Sequence, residues 1–247
     1  MAGSPAPDAN RLASTRTLGS RRDFLCNSAA ALAGAVAVGI AADSAQSLWH
    51  PDAVQAQTNL TPEEALKELM EGNGRFAAGR GTAHEHDLVQ LKQHLVEKQE
   101  PFAAVLSCAD SRVPVEILFD QTLGRLFVTR VAGNILTPEI IGSLEYGVAL
   151  LGTKVILVLG HSNCGAVKAA VGGKAVPGQI STLYAHLQPA VDEAGHDSKA
   201  ATKANAKIQA KLLSQASTVV AEKLKEGHLK VVAGYFDIGS GVVTLLS

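Results

Sequence analysis

Two kinds of hydrophobic pattern alternate along this chain. Short unbroken apolar runs, Phe102–Ser107, Leu126–Val131 and Val155–Leu159, suit strands buried on both faces. Between and around them, apolar residues recur at helical spacing. Leu66, Leu69 and Met70 follow Thr61-Pro62-Glu63-Glu64, a capping box with proline at the first helical position, and this helix is predicted to stop near Gly72-Asn73-Gly74. Leu88, Leu91 and Leu95 form a second stripe after a loop over 79–86. Ile140, Ile141, Leu144 and Val148 form a third, behind Thr137-Pro138-Glu139. A helix begins at Gly165. Residues 172–206 carry glycines, Pro177 and Pro189 and predict little, whereas Ile208, Leu212, Val219 and Leu224 fit a helical period that ends at Gly227. Leu229–Phe236 and Gly241–Leu246 read as two closing strands around Asp237-Ile238-Gly239-Ser240. Strands alternating with helices predict an α/β fold with a mainly parallel sheet, order 2-1-3-4 plus a C-terminal strand, flanked by helices.

This order changes the meaning of the polar residues at the strand ends. In an open α/β sheet the active crevice lies outside the carboxyl ends of strands where the chain direction switches sides. Here that crevice falls between the first and third strands. The first is followed by Cys108-Ala109-Asp110-Ser111-Arg112, the third by Gly160-His161-Ser162-Asn163-Cys164-Gly165. Cys108, His161 and Cys164 make a Cys₂His set for one Zn²⁺ per chain, with a fourth position open. Asp110 and Arg112 lie two and four residues past the first ligand. Arg112 can hold the Asp110 carboxylate bidentately, keeping it ionised and off the metal, so that it accepts a hydrogen bond from a hydroxide held on zinc. His84, His86 and His94, on a polar loop and helix, are read as solvated.

Composition narrows this picture. The chain has 247 residues, 47% hydrophobic and only 4% aromatic, so small aliphatic side chains must pack the core. Net charge is −1 with no block of one sign, which gives nucleic acid and anionic membranes no electrostatic purchase. Residues 1–56 read as an export leader and 57–247 as one domain. Ser20-Arg21-Arg22-Asp23-Phe24-Leu25 resembles a twin-arginine signal, the weakly apolar stretch from Ala29 to Ala42 is too short to span a membrane, and Val54-Gln55-Ala56 offers a cleavage point. The expectation is a periplasmic protein with no stable membrane association after cleavage. Of its three cysteines, Cys26 leaves with the leader and the other two are claimed by the metal, so no structural disulfide is expected.

Cys108-Ala109-Asp110-Ser111-Arg112-Val113-Pro114, Arg130-Val131-Ala132-Gly133-Asn134, Ser143-Leu144-Glu145-Tyr146 and Gly160-His161-Ser162-Asn163-Cys164-Gly165-Ala166 resemble, in order, segments of the β-class carbonic anhydrases. The resemblance covers about 61–247. It implies zinc on Cys108, His161 and Cys164, and catalysis by Asp110 and Arg112. It matches Gln99 to a glutamine that reaches the neighbouring subunit's zinc pocket and polarises a CO₂ oxygen. Phe127, Ala132, Tyr146 and Gly165 match substrate-pocket positions, with Ala132 smaller than the valine often found there. The implied reaction is CO₂ + H₂O ⇌ HCO₃⁻ + H⁺, in a homodimer or higher even oligomer. Some bacterial members carry a regulatory bicarbonate site built on a tryptophan three residues before the first cysteine ligand. Val105 stands there, although Arg130 of that site is present. Hydrolysis of carbonyl sulfide or carbon disulfide at the same zinc is the enzymatic alternative, since those substrates share linear geometry and an electrophilic carbon. A non-catalytic zinc-binding protein of this fold is the other; Asp110, Arg112 and Gln99 argue against it, since holding metal needs none of them.

Overall fold

A computed structural model describes residues 58–247; the leader predicted over 1–56 lies outside them. Five strands form one sheet in the order β2-β1-β3-β4-β5. They are β1 (Ala103–Ser107), β2 (Leu126–Arg130), β3 (Val155–His161), β4 (Lys230–Asp237) and β5 (Val242–Leu246). The first four run parallel and β5 returns antiparallel to β4. The predicted order therefore holds. Among the described residues eight α-helices accompany the sheet: α1 (Pro62–Ala77), α2 (Asp87–His94), α3 (Val115–Leu118), α4 (Pro138–Ala149), α5 (Gly165–Gly172), α6 (Thr182–Ala194), α7 (Ser198–Ala216) and α8 (Thr218–Lys225). Among the described residues no helix is long and apolar enough to cross a membrane.

The pleat sorts the apolar runs into two layers. Ala103, Val105, Val155, Leu157 and Leu159 face a core with Leu69, Phe119 and Phe236. Ala104, Leu106, Ile156 and Val158 face the other, with Leu144, Ala206, Leu213 and Val220. Both sides of β1 and β3 are thus covered, which is why these strands lack polar alternation. Leu157 and Leu159 are fully buried, and each such side chain contributes about 1.5–3 kcal/mol. A third cluster, Ile135, Val167, Leu187 and Ala201, surrounds Cys108 and Cys164 at the carboxyl edge.

Three elements depart from expectation for packing reasons. Helix α1 does begin with the capping box, Thr61 Oγ1 accepting from Glu64 N at 3.2 Å and Glu64 Oε2 accepting from Thr61 N at 2.8 Å. It does not stop at Gly72-Asn73-Gly74 but runs on to Ala77. A Cβ on Gly72 would lie 1.8 Å from the Phe119 carbonyl oxygen, so glycine here permits a close approach rather than a turn. Asn73, 3% exposed, donates to Leu118 O and Gly241 O and accepts from Val243 N, stitching the helix to α3 and β5. Second, α7 does not bury Ile208 and Leu212. Leu212 is exposed, and the inward face is Ala201, Thr202, Ala204, Asn205, Ala206, Gln209, Ala210 and Leu213. The helical run also breaks at Ser217, which caps α8 through Val220 N and donates to Glu145 Oε1 at 2.6 Å. Third, Pro189 lies inside α6.

Candidate metal centre

Backbone pairing alone assembles this site. Ser107 at the end of β1 is in register with Leu159 of β3, so Cys108 emerges beside Gly160 and His161. Gly160 lets α7 come close: a Cβ there would stand 2.9 Å from Thr202 Cγ2 and 3.1 Å from Thr202 O. After His161 the chain turns through Asn163 at φ +58°, a left-handed value that asparagine tolerates. Cys164 then occupies the N-cap of α5.

Cys108 Sγ and Cys164 Sγ are 4.0 Å apart, and the ligand atoms of Cys108, His161 and Cys164 all lie within 4.8 Å of one another, all three residues buried. Two thiolates on one tetrahedral zinc stand about 3.7–3.8 Å apart. His161 Nδ1 lies 2.9 Å from Ser162 O, to which it donates as Nδ1–H; Nε2 is buried without a hydrogen-bond partner in the chain. That tautomer leaves a lone pair on Nε2, as a metal ligand requires. The residues therefore fit a Cys₂His zinc site. Neither cysteine is in a disulfide. Hydrogen bonds from Cys164 and the Gly133 N–H lower the Cys108 pKa, against the opposing effect of burial. With that thiolate present, its bond to Cys164 and burial push the second thiol up. A divalent cation would relieve this conflict.

Asp110 and Arg112 form the predicted pair. Arg112 Nε donates to Asp110 Oδ1 at 2.9 Å and Nη2 to Oδ2 at 2.7 Å, and the Arg112 amide adds a third bond to Oδ1 at 2.9 Å. The guanidinium holds this carboxyl well below the usual carboxylate range, although partial burial acts against it. Asp110 Oδ2 stops 3.9 Å from His161 Nε2. Arg130 donates from Nε to Cys108 O at 2.9 Å and from Nη2 to Asp110 O, fixing the turn that carries both residues.

A family profile described as Carbonic anhydrase matches residues 103–243. Carbonic anhydrase 2 of Mycobacterium tuberculosis is 34% identical over 195 residues, covering 76% of this chain and 94% of that protein. The carbonic anhydrase of Mycolicibacterium smegmatis is 36% identical over 199 residues, covering 76% and 95%. Among solved structures, the β-carbonic anhydrase CafA of Aspergillus fumigatus aligns with a TM-score of 0.61 at 25% identity, covering 74% of this chain and 90% of that one. The Coccomyxa β-carbonic anhydrase in complex with acetazolamide aligns at 0.56 and 28%, covering 73% and 86%. The chain belongs to the β-class carbonic anhydrases.

In this carbonic anhydrase the remaining predicted site residues divide into two groups. Ala132 lies on the loop beside Gly133, whose N–H reaches Cys108 Sγ, and Gly165 opens α5 directly after Cys164. Phe127, Tyr146 and Gln99 are not gathered there within one chain. Phe127 pairs with Ala104, four residues before Cys108 and so about 13 Å along the strand. Its ring stacks obliquely on Tyr146, centroids 6.0 Å apart. Gln99 precedes β1 at the end of the sheet opposite the metal ligands. It lines an exposed hollow of about 370 Å³ with Leu95, Val96, Tyr146 and Leu151. His94 is exposed as expected. His84 is not simply solvated: it is half-buried, its Nδ1 bonded to Asp87 Oδ2 and its Nε2 buried.

Pattern reading missed Asn205 and Gln209, which grip the loop at Gly133 and Leu136. Their signal is a pair of amides four apart on a helix face built largely of alanine.

Proposed function

We propose that this carbonic anhydrase interconverts CO₂ and bicarbonate with Asp110 and Arg112 as its catalytic pair and with Gln99 lent by a partner subunit. The observation that carries the reading is the held carboxylate beside the Cys108–His161–Cys164 cluster. Zinc bound by those three residues would lower the pKa of water and so supply a nucleophile near neutral pH. Asp110 Oδ2, facing the same space as His161 Nε2, would accept a hydrogen bond from that nucleophile and so aim its lone pair. Arg112 keeps Asp110 ionised and, by bonding both its oxygens, off the ligand cluster. Ala132 and Gly165 leave room for a small linear substrate beside the pair.

The position of Gln99 supports a dimer, because its own ligand cluster lies at the other end of β1. We further propose export by the twin-arginine route, on the strength of Arg21-Arg22 and the apolar stretch behind them. Periplasmic fractionation with and without Arg21→Lys and Arg22→Lys tests that part. Stopped-flow CO₂ hydration by the zinc-loaded protein, run beside assays with carbonyl sulfide and carbon disulfide, tests the reaction. Hydration far above buffer, with negligible sulfide release from either gas, is expected.

A further inference from the structure

The loop between β2 and α4 backs the metal corner, and α7 holds it with side chains that the catalytic scheme leaves unused. Asn205 and Gln209, one turn apart on α7, are 0% and 1% exposed. Asn205 Nδ2 donates to Gly133 O at 2.8 Å, and Gln209 Oε1 accepts from Leu136 N at 2.9 Å. Gln209 Nε2 donates to Asn205 Oδ1 at 3.1 Å and to His186 O at 3.2 Å, which fixes the direction of both amides. On its other side Gly133 donates its own N–H to Cys108 Sγ at 3.3 Å. Gly133 is thus held at both ends, its oxygen by α7 and its nitrogen by a metal-ligand sulfur. Its φ of +80° and the Leu187 Cδ2 atom, 3.2 Å from where a Cβ would sit, leave the loop no ordinary side chain to fix it there. The platform is firm, since Thr202 of the same helix packs against Gly160, the residue before His161.

We infer that Asn205 and Gln209 are positioning residues for the metal: through Gly133 they keep an N–H on Cys108 Sγ and so tune what that thiolate gives the zinc. An N–H donor draws charge from a thiolate. With two thiolates already cancelling the charge of a dication, this leaves the metal a stronger Lewis acid than bare sulfur ligation would. Outer-shell partners of metal ligands act in this way generally, and losing one typically costs 10–100-fold in metal affinity or activity. The inference rests on the zinc reading of the Cys108–His161–Cys164 cluster. A clamp that merely steadies the entrance to α4 would also hold Leu136, but would not change the sulfur–metal bond.

The test starts from the zinc content of the native protein. Less than one zinc per chain would overturn the zinc reading itself and the inference with it. With zinc present, Asn205→Ala is compared with the native protein for zinc release to a chelator and, after cobalt exchange, for the sulfur-to-cobalt absorption band. A release rate changed by about tenfold and a shifted band are expected. An unchanged band and release rate, with only the melting temperature lowered, would make the network a structural clamp. Should the variant fail to fold, the native protein decides. With ¹¹³Cd replacing zinc, a scalar coupling between the metal and the Gly133 amide proton is expected, and its absence overturns the inference.

Discussion

Arg112 grips Asp110 through two parallel bonds of 2.9 and 2.7 Å, and the gripped carboxylate halts 3.9 Å from His161 Nε2. With both oxygens bonded to Arg112, the carboxylate faces the ligand cluster without being free to join it. Arg112→Ala frees the carboxylate to close it. Activity is expected to fall by about 100-fold or more, with zinc still stoichiometric by elemental analysis. X-ray absorption should then report four protein ligands. Loss of zinc instead would show that Arg112 holds the site together.

Gln99 lies away from its own ligand cluster, so under its proposed role activity depends on assembly. Leu88, Val89, Leu91 and Val96 are exposed on and after α2, and Val96 lines the Gln99 hollow. A charged replacement such as Leu91→Asp is expected to shift the protein to monomers in sedimentation while leaving its circular dichroism unchanged. CO₂ hydration should fall with the dimer fraction, and a fully active monomer would remove Gln99 from the mechanism.

Val105 is completely buried in the core beside Leu157 and Phe119, and offers no indole edge to an anion. Arg130 is occupied by Cys108 O and Asp110 O. Bicarbonate inhibition is therefore expected to be hyperbolic. A sigmoidal inhibition curve in initial-rate assays would contradict this.

Asp120 marks a stability contribution that depends on pH. It is 4% exposed, accepts from the amides of Thr82 and Ala83 at 2.8 Å each, and pairs with Arg75. Burial raises its pKa, but these bonds outweigh that and hold it below the ordinary value of 3.8. A depressed folded-state pKa means stability that is fully present above the unfolded value and lost as pH falls through the folded one. Asp120→Asn should therefore cost about 1–3 kcal/mol in urea melts at pH 7. The gap should narrow only below about pH 4; one that persists undiminished into stronger acid would show that the charge is irrelevant.

The strand order and the metal ligands were legible because each rests on a local signal. Continuous apolar runs mark β1 and β3, and Cys108 and Cys164 are the only cysteines after residue 56. What was hidden depends on neighbours distant in sequence. Gly72 and Asn73 look like a helix stop until the Phe119 carbonyl and the Val243 amide are in place. On α7, leucine and isoleucine suggested the wrong face because the sheet takes alanines and buried amides there instead. Gln99 lies in the same category, since its suggested target belongs to another chain.

The register that sets Ser107 against Leu159 has a consequence for how the enzyme acquires its metal. Cys108 and Cys164 are 56 residues apart, yet the strands and helix that carry them are held by backbone ladders and two packed apolar layers. Small zinc domains fold only as they bind, so that metal loss is also collapse. Here the ligands form a socket rather than a rivet. Stripping the ion should leave a folded, refillable protein, and metal supply could then govern how much of a standing pool of enzyme is active without new synthesis.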